Sequence, residues 1–174
     1  MRKRKRLPIY CYDSIVKQPS LGVITGNLDD RDWILLEAIQ ADARLSFAEL
    51  GRRAKLSPPA AAERLRRLED AGVILGYHAR VSHSHFGLPL LVFIEIQVKR
   101  TDYTRFQKAV QKLPWILECH HVAGRASFIL KVAVPDTQGI ELLIGHLGQF
   151  GETTTTLALS TIVDHRMFLR DGSS

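Results

Sequence analysis

The sequence predicts an α+β protein with an N-terminal three-helix helix-turn-helix domain and a C-terminal ferredoxin-like βαββαβ domain. Residues 45–74 contain two short amphipathic helical patterns joined by a tight connection. At about residue 88 the spacing of apolar residues changes from a period near 3.6 to strict alternation. From there, strand and helix patterns follow in the order βαββαβ. The predicted divisions are residues 1–26, a basic, disordered extension; 27–75, the helix-turn-helix domain; 76–87, a strand and linker; and 88–170, the βαββαβ domain.

The composition is that of a globular protein. The chain has 174 residues, of which 45% are hydrophobic and 24% charged. Its longest apolar runs are too short, or too often interrupted by charge, to cross a membrane. Cys11 and Cys119 lie far apart and form no disulfide framework or thiol motif. We therefore expect a cytoplasmic protein without a membrane partner or a cofactor.

Most of the net charge of +6 lies in residues 1–26, which hold six basic residues and one acidic residue. The opening MRKRKR is not followed by the apolar core of a secretory signal. We interpret this extension as a disordered basic arm that touches DNA phosphates non-specifically. The alternative is an extension without a role, arising from a start site assigned too early.

The first predicted helix begins after Asp29 and ends at Arg44. Asp29 can cap its N-terminus, because a short carboxylate accepts hydrogen bonds from the first backbone amides. Leu35, Leu36 and Ile39 are spaced to form one buried stripe.

The second predicted helix begins at Ser46 and ends at Ala54. Ser46 can cap it, and Glu49 follows at the capping-box position. Phe47, Leu50 and Ala54 share one face of this helix.

The third predicted helix runs from Pro58 to about Ala71 after a connection of helix-turn-helix length. Ser57 is a good N-cap, and proline is favoured at the first helical position. Gly72 follows where a left-handed residue ends a helix. The buried stripe of this helix is predicted to be Ala61, Leu65 and Leu68.

The outward face of the third helix predicts DNA binding. Residues 44–68 hold seven basic and two acidic residues, a local net charge of +5. Small residues in the first turn would let the helix approach base edges closely. The base-facing candidates are Ser57, Pro59, Ala60, Glu63 and Arg64. The phosphate candidates are Arg52, Arg53, Lys55, Arg66 and Arg67, with Arg80 as a weaker one. The alternative is an ordinary helical hairpin with a solvated basic face.

The two kinds of DNA contact predict different mutational effects. Replacing Arg64 with alanine is expected to cost specific binding about 1–3 kcal/mol. Replacing Arg53 with alanine is expected to weaken binding to all duplexes alike and to flatten the salt dependence.

The remaining elements follow from the change in apolar spacing. We predict strands at Val73–Val81, Leu88–Val98, Ile116–Val122, Ser127–Val134 and Thr154–His165, and helices at Asp102–Leu113 and Thr137–Phe150. Two helices cover only one face of a four-stranded sheet. The other face is also apolar in patches, at Leu91, Phe93, Ile129, Ala133 and Ile162. We therefore expect a homodimer formed sheet to sheet, which would also pair two DNA-binding units.

The segment LDDRDWILLEAIQADARLSFAELGRRAKLSPPAAAERLRRLEDAGVI, followed by a βαββαβ unit, resembles the Lrp/AsnC (feast/famine) transcription regulators. The resemblance covers about residues 27–170. It implies a C-terminal domain of the RAM type and a dimer built on its sheets, often assembled further into tetramers or octamers. It also implies a small effector, usually an amino acid, bound between C-terminal domains near the Gly124 turn.

One departure from the family pattern concerns the effector. Members commonly have Gly-x-x-Asp at this turn, whereas here Gly124 is followed by Arg125 and, in the aspartate position, Ser127. A hydroxyl cannot neutralise an ammonium group as a carboxylate can. We therefore predict a weak or absent response to zwitterionic amino acids, and an effector that is anionic, such as a 2-oxo acid, or absent. The effector-binding candidates are Gly124, Arg125, Ser127, Thr154 and Thr156.

The function predicted is that of a sequence-specific, DNA-binding transcription regulator, associated with the nucleoid, and not of an enzyme. Its predicted partners are double-stranded DNA, itself as a homodimer or higher oligomer, and an amino-acid or 2-oxo-acid effector. One alternative is a nucleoid-organising protein that wraps DNA with little sequence choice. Another is a small-molecule or metal sensor that acts through a protein partner. In an extended strand only Cys119 and His121 share a face, so structural histidines are favoured over a metal site.

Overall fold

The computed structural model describes residues 28–170, so the predicted basic extension at 1–26 lies outside the described part. These residues form two compact units. The helical unit contains residues 28–79 together with the C-terminal segment 163–170. The sheet unit contains residues 80–162.

The helical unit contains three helices, each preceded by the N-cap that the sequence predicts. Asp29 accepts hydrogen bonds from the backbone amides of Arg31 and Asp32, both at 2.9 Å. The Asp32 carboxylate accepts from the Asp29 amide at 3.2 Å, which completes a capping box. The helices are α1 (Asp30–Ala41), α2 (Phe47–Ala54) and α3 (Pro58–Asp70).

The third helix agrees closely with its prediction. The Ser57 hydroxyl accepts from the Ala60 amide, and Pro58 occupies the first turn. Gly72 follows α3 with φ 69°, a left-handed conformation that glycine adopts without steric cost. The predicted stripe is buried and joins α1 and α2 in one core, which consists of Leu35, Leu36, Ala38, Leu50, Ala54, Ala61, Leu65 and Leu68.

The predicted end of α1 is wrong. The first helix ends at Ala41 rather than at Arg44, because the backbone of Asp42 is extended. In α2, Phe47 is 52% exposed and does not belong to the core.

The sheet unit has the predicted ferredoxin-like topology. Its elements are β1 (Leu90–Val98), α4 (Tyr103–Val110), β2 (Ile116–His121), β3 (Phe128–Val134), α5 (Thr137–Gly148) and β4 (Gly151–Leu157). The strand order is β2-β3-β1-β4, and all three neighbouring pairs are antiparallel. One face of the sheet packs with α4 and α5 around a core that includes Val92, Ile94, Phe106, Phe128 and Leu147. We call the opposite face the open face.

Two predicted strands differ from the structure. Residues 73–81 form no strand, because a strand needs a neighbouring backbone and no other part of residues 28–170 supplies one. The last strand is Gly151–Leu157 rather than Thr154–His165. At its first residue, Gly151, a Cβ would overlap the Gln97 carbonyl oxygen on β1, so glycine is required there. Ile162 therefore lies beyond the sheet and is exposed.

Candidate nucleic-acid interface

The connection between α2 and α3 fixes the position of α3. Lys55 ends α2 in a left-handed conformation with φ 52°, and the Leu56 amide donates to the Gly51 carbonyl at 2.8 Å. A Cβ at Gly51 would lie 2.6 Å from the Leu56 carbonyl oxygen. Glycine is therefore required where the connection passes over α2, and this is a determinant of the helix-turn-helix that the sequence analysis missed.

The outward face of α3 is open to solvent in the described part of the chain. Ser57, Pro59 and Glu63 are exposed, and Ala60 is half-buried. Glu63 and Arg66 approach no closer than 3.8 Å, and both side chains are largely exposed. The predicted base-facing surface thus carries small side chains in the first turn of α3 and polar side chains beyond it.

Arg64 does not lie on this surface with the others. Its Nη1 atom is 2.6 Å from an Asp29 carboxylate oxygen and 2.8 Å from one of Asp32, and its side chain is only 22% exposed. A hydrogen bond from the backbone amide of Asp32 and, as a smaller contribution, one from Arg64 lower the pKa of Asp29. Hydrogen bonding to Asp32, then to Asp29, raises the pKa of Arg64. This contact joins α3 to the capped end of α1, so we assign Arg64 a role in the fold, and its predicted base contact stays a prediction.

Two of the predicted phosphate contacts share one carboxylate. Glu49 lies 2.7 Å from Arg52 and 2.8 Å from Arg53. Hydrogen bonds from Arg52, then Arg53, lower the pKa of Glu49 to about 2. Ser46 caps α2 as predicted, by accepting from the Glu49 amide at 3.2 Å. The Glu49 side chain, however, turns to the arginines instead of completing the predicted capping box.

The other predicted phosphate contacts differ in position. Lys55 and Arg67 are exposed in the helical unit, and no carboxylate of residues 28–170 lies within ion-pair distance of either. Arg80 is exposed but belongs to the sheet unit. The helical unit therefore presents Lys55 and Arg67 as uncompensated cations, and Arg52, Arg53 and Arg66 as partly compensated ones.

The predicted effector residues do not form one cluster. Ser127 is buried, and its hydroxyl accepts from the Val98 amide at 3.2 Å and donates to the Val98 carbonyl at 3.1 Å. The hydroxyl thus extends the ladder between β1 and β3. The donor of the Ser127 hydroxyl and one of its two acceptor positions are therefore used by backbone, and its predicted contact with an effector stays a prediction.

Arg125 and the two threonines belong to the open face. Thr154 lies directly opposite Glu95, and Thr156 lies opposite Phe93. The Arg125 guanidinium is 3.5 Å from the Glu95 carboxylate. Gly124, in the preceding turn, has φ 157°. Glu95 is an acidic residue at this position that the sequence analysis did not identify.

The strand with Cys119 and His121 carries no metal cluster. Within residues 28–170, no group of three His, Cys, Asp or Glu side chains is placed to hold a metal ion. Burial raises the pKa of Cys119 to about 11, which keeps the thiol protonated at neutral pH. His121 packs edge-on against Tyr103, with ring centroids 5.2 Å apart, and His120 lies 3.1 Å from Glu118. In addition, none of the helices in this range has the length and apolar character needed to span a membrane.

Comparison with known families gives two matches. Residues 28–74 match a winged helix-turn-helix DNA-binding domain. Residues 91–168 match the Lrp/AsnC ligand binding domain. The two matches fall on the helical bundle and on the sheet unit with the segment that follows it.

Curated relatives are similar over most of the chain. The HTH-type transcriptional regulator LrpC of Bacillus subtilis is 38% identical over 135 residues, which are 78% of this chain and 94% of that protein. The leucine-responsive regulatory protein of Escherichia coli is 38% identical over 146 residues, covering 82% of this chain and 84% of that protein.

Solved structures share the fold. That of B. subtilis LrpC covers 79% of this chain and 99% of its own, with a TM-score of 0.75 and 38% identity. A transcriptional regulator of Neisseria meningitidis in complex with L-Met has a TM-score of 0.74 and 28% identity, and covers 81% of this chain and 96% of its own. A feast or famine regulatory protein of Mycobacterium tuberculosis, complexed with L-methionine, has a TM-score of 0.74 and 32% identity, with coverages of 82% and 99%.

Proposed function

Because this chain belongs to the Lrp/AsnC family of DNA-binding transcriptional regulators, we propose that it recognises a specific duplex sequence as a homodimer, with α3 in the major groove. The family consists of regulators and not of enzymes, which confirms the expectation that the chain has no catalytic activity. A cytoplasmic position, on the nucleoid, belongs to the same proposal.

The observation that supports this role for α3 is the contrast between its two sides. Ala61, Leu65 and Leu68 are buried against α1 and α2, whereas the opposite side is solvent-exposed and begins with small residues. A helix held in this way can approach base edges without moving away from its own core. The proposed base-contacting residues are Ser57, Pro59, Ala60 and Glu63. The proposed phosphate-contacting residues are Arg52, Arg53, Lys55, Arg66 and Arg67.

Selection of duplexes from a random pool tests the proposal. The purified protein is incubated with the pool at near-physiological salt, and the retained duplexes are sequenced. A pseudo-palindromic consensus with half-sites about one helical turn apart is the result expected of a dimeric regulator. Retention without a consensus would contradict sequence-specific recognition and favour a DNA-wrapping role. No retention, even with added metabolites, would contradict DNA binding by α3.

The sheet unit is the proposed site of a small effector. Two relatives were solved with L-Met or L-methionine. In this chain Ser127 replaces the carboxylate of the family pattern, and Arg125 adds a cation beside Glu95. We propose that an anionic metabolite such as a 2-oxo acid, rather than a zwitterionic amino acid, modulates DNA binding through Arg125, Thr154 and Thr156.

Calorimetry distinguishes the two kinds of effector. The protein is titrated with leucine, asparagine, lysine, methionine and their 2-oxo acids. Heat of binding with the 2-oxo acids alone is the expected outcome, and it should be lost in Arg125→Gln. A micromolar affinity for any of the amino acids would contradict the proposal.

A further inference from the structure

A shallow cleft of about 720 Å³ lies between α4 and α5 on the helix-covered side of the sheet unit. We call it the α4–α5 groove. Its cationic residues are Arg105, Lys108 and Lys112 on α4 and the turn that follows it, and His146 of α5 lines the other side. None of these residues was singled out in the sequence, because the basic stretch that contains them lies outside the helix-turn-helix.

Positive charge in the sheet unit is concentrated in residues 99–112, and three of the five basic residues of this segment line the groove. Residues 99–112 hold five basic residues and one acidic residue, whereas the rest of residues 80–162 holds three basic and five acidic ones. Elsewhere in the unit cations meet acids: Lys131 lies 2.9 Å from Glu118. By contrast, among the described residues no carboxylate lies within ion-pair distance of Lys108 or Lys112.

The cations form a row along α4. Arg105, Lys108 and Lys112 are spaced at i, i+3 and i+7, which places them on one side of the helix over a rise of about 10 Å. Arg105 is held in place, because its guanidinium lies 5.0 Å from the centre of the Phe150 ring and donates to the Gln149 side chain at 2.9 Å. The two lysines beside it are exposed.

The openness of the groove favours a polyanion over a small anion. Sites for small molecules bury most of the ligand surface, whereas the lysines here stay in water. An exposed ion pair contributes about 1 kcal/mol or less, so a single anion would bind weakly. A duplex, in contrast, carries about one phosphate per 1.7 Å of its axis and gains free energy by releasing condensed counterions at each contact.

We propose that the α4–α5 groove is a second DNA-contacting surface, which binds the phosphate backbone of duplex that flanks the site recognised by α3. The inference rests on the proposed function, since DNA bound by the helical unit is held at a high effective concentration near the covalently attached sheet unit. The surface contacts phosphates and no base edges, so it adds affinity for long duplexes without changing the sequence preference.

Salt dependence on two duplex lengths tests the proposal. The short duplex has about 20 base pairs, enough for two half-sites one turn apart. The long one carries the same site within about three times that length. The variant is Lys108→Gln with Lys112→Gln, because glutamine keeps the helix and removes the charge. On the long duplex, the glutamine variant loses two phosphate contacts in each protomer whose groove touches DNA. The slope of log affinity against log salt concentration should therefore become shallower by about 1.8 for each such protomer. The slope on the short duplex should stay unchanged.

A charge-preserving variant is the matched control. Lys108→Arg with Lys112→Arg should keep the parent slope on both duplexes, and all variants should show the parent molecular mass by sedimentation. An unchanged slope of the glutamine variant on the long duplex would overturn the inference. Equal losses on both duplexes, or a changed mass, would also overturn it, because they would assign the lysines to the recognition site or to a subunit contact. Binding of the short duplex by the parent protein reports separately on the proposed function.

Discussion

At the scale of single residues, Arg64 shows how a DNA-facing pattern can hide a structural contact. Its position on α3 predicts a base contact, but its guanidinium lies between Asp29 and the buried Asp32. We expect Arg64→Ala to lower the free energy of unfolding by about 1–3 kcal/mol, because a buried carboxylate would lose its partner. Urea unfolding followed by circular dichroism measures this loss.

The matched control is Arg67→Ala, which removes an exposed arginine from the same helix. We expect it to leave unfolding almost unchanged and to weaken binding to all duplexes. If Arg64→Ala unfolds like the parent protein but loses selection at one base pair, Arg64 is a base contact and our assignment is wrong.

Glu49 limits the positive charge of the helix-turn-helix. Its carboxylate is shared by Arg52 and Arg53, so we expect Glu49→Gln to bind every duplex more tightly and to give a steeper salt slope. Titration at several salt concentrations measures both effects. An unchanged affinity and slope would show that the two arginines do not meet phosphates.

The same carboxylate gives a stability difference that depends on pH. The folded protein holds the pKa of Glu49 at about 2, below its ordinary value of 4.5. A depressed pKa stabilises the fold above the ordinary value, and this stabilisation is lost as the pH falls from about 4.5 towards about 2. The melting temperatures of the parent and Glu49→Gln should therefore converge over that range. A constant difference would contradict the ion-paired geometry.

At the scale of elements, local chemistry made the helices predictable. The N-cap side chains of Asp29, Ser46 and Ser57 each accept a hydrogen bond from a backbone amide no more than three residues away. The buried face of each helix can likewise be recognised from the regular spacing of apolar residues in the sequence. The contact between Arg64 and Asp29 joins residues 35 positions apart, so no local pattern reveals it. The predicted end of the last strand was wrong for a related reason. Apolar and β-branched residues continue past Leu157, but the pairing with β1 determines where the strand ends.

The C-terminal segment is an element that sequence spacing did not reveal. The side-chain carboxamide of Gln40 forms two hydrogen bonds with the backbone of Phe168. Its Nε2 donates to the Phe168 carbonyl at 2.9 Å, and its Oε1 accepts from the Phe168 backbone amide at 2.8 Å, which is the pattern that a neighbouring strand would form. Arg170 reinforces this contact by pairing with Asp30 at 2.5 Å. The helical unit is therefore built from two parts of the chain, and the segment 163–170 is hydrogen-bonded to the outer side of α1.

We expect Gln40→Ala to release this segment without unfolding the helical core. The Phe168 amide should exchange with solvent faster, whereas the loss of global stability should be about 1 kcal/mol or less, because the bonds are exposed. Hydrogen exchange measured by NMR gives both values. Ala41→Ser, a polar change at the neighbouring exposed position, is the control. Unchanged protection at Phe168 would contradict the contact.

At the scale of the whole molecule, the open face supports the proposal that two chains pair to form the regulator. Its centre holds Leu91, Phe93 and Ile129, and Phe93 is 39% exposed although it lies on the central strand β1. An apolar centre with ion pairs such as Arg125–Glu95 beside it has the composition of a subunit interface. Alternation in the sequence places Leu91, Phe93 and Ile129 on this face, whereas Ala133 is fully buried and Ile162 lies beyond the end of β4.

We expect Phe93→Asp to convert the proposed dimer into a monomer, because it places a carboxylate at the centre of the interface, where the residue opposite on β3, Lys131, already pairs with Glu118 at 2.9 Å. Sedimentation should show half the parent mass. Affinity for a two-half-site duplex should fall by about 10²–10⁴-fold, since the second half-site is no longer linked to the first. Leu142→Asp on α5 is the control: it places the same charge at an exposed leucine of the helix layer, 58% accessible. If Leu142→Asp lowers the mass and Phe93→Asp does not, the subunits meet through α5 and the open face is available to another partner.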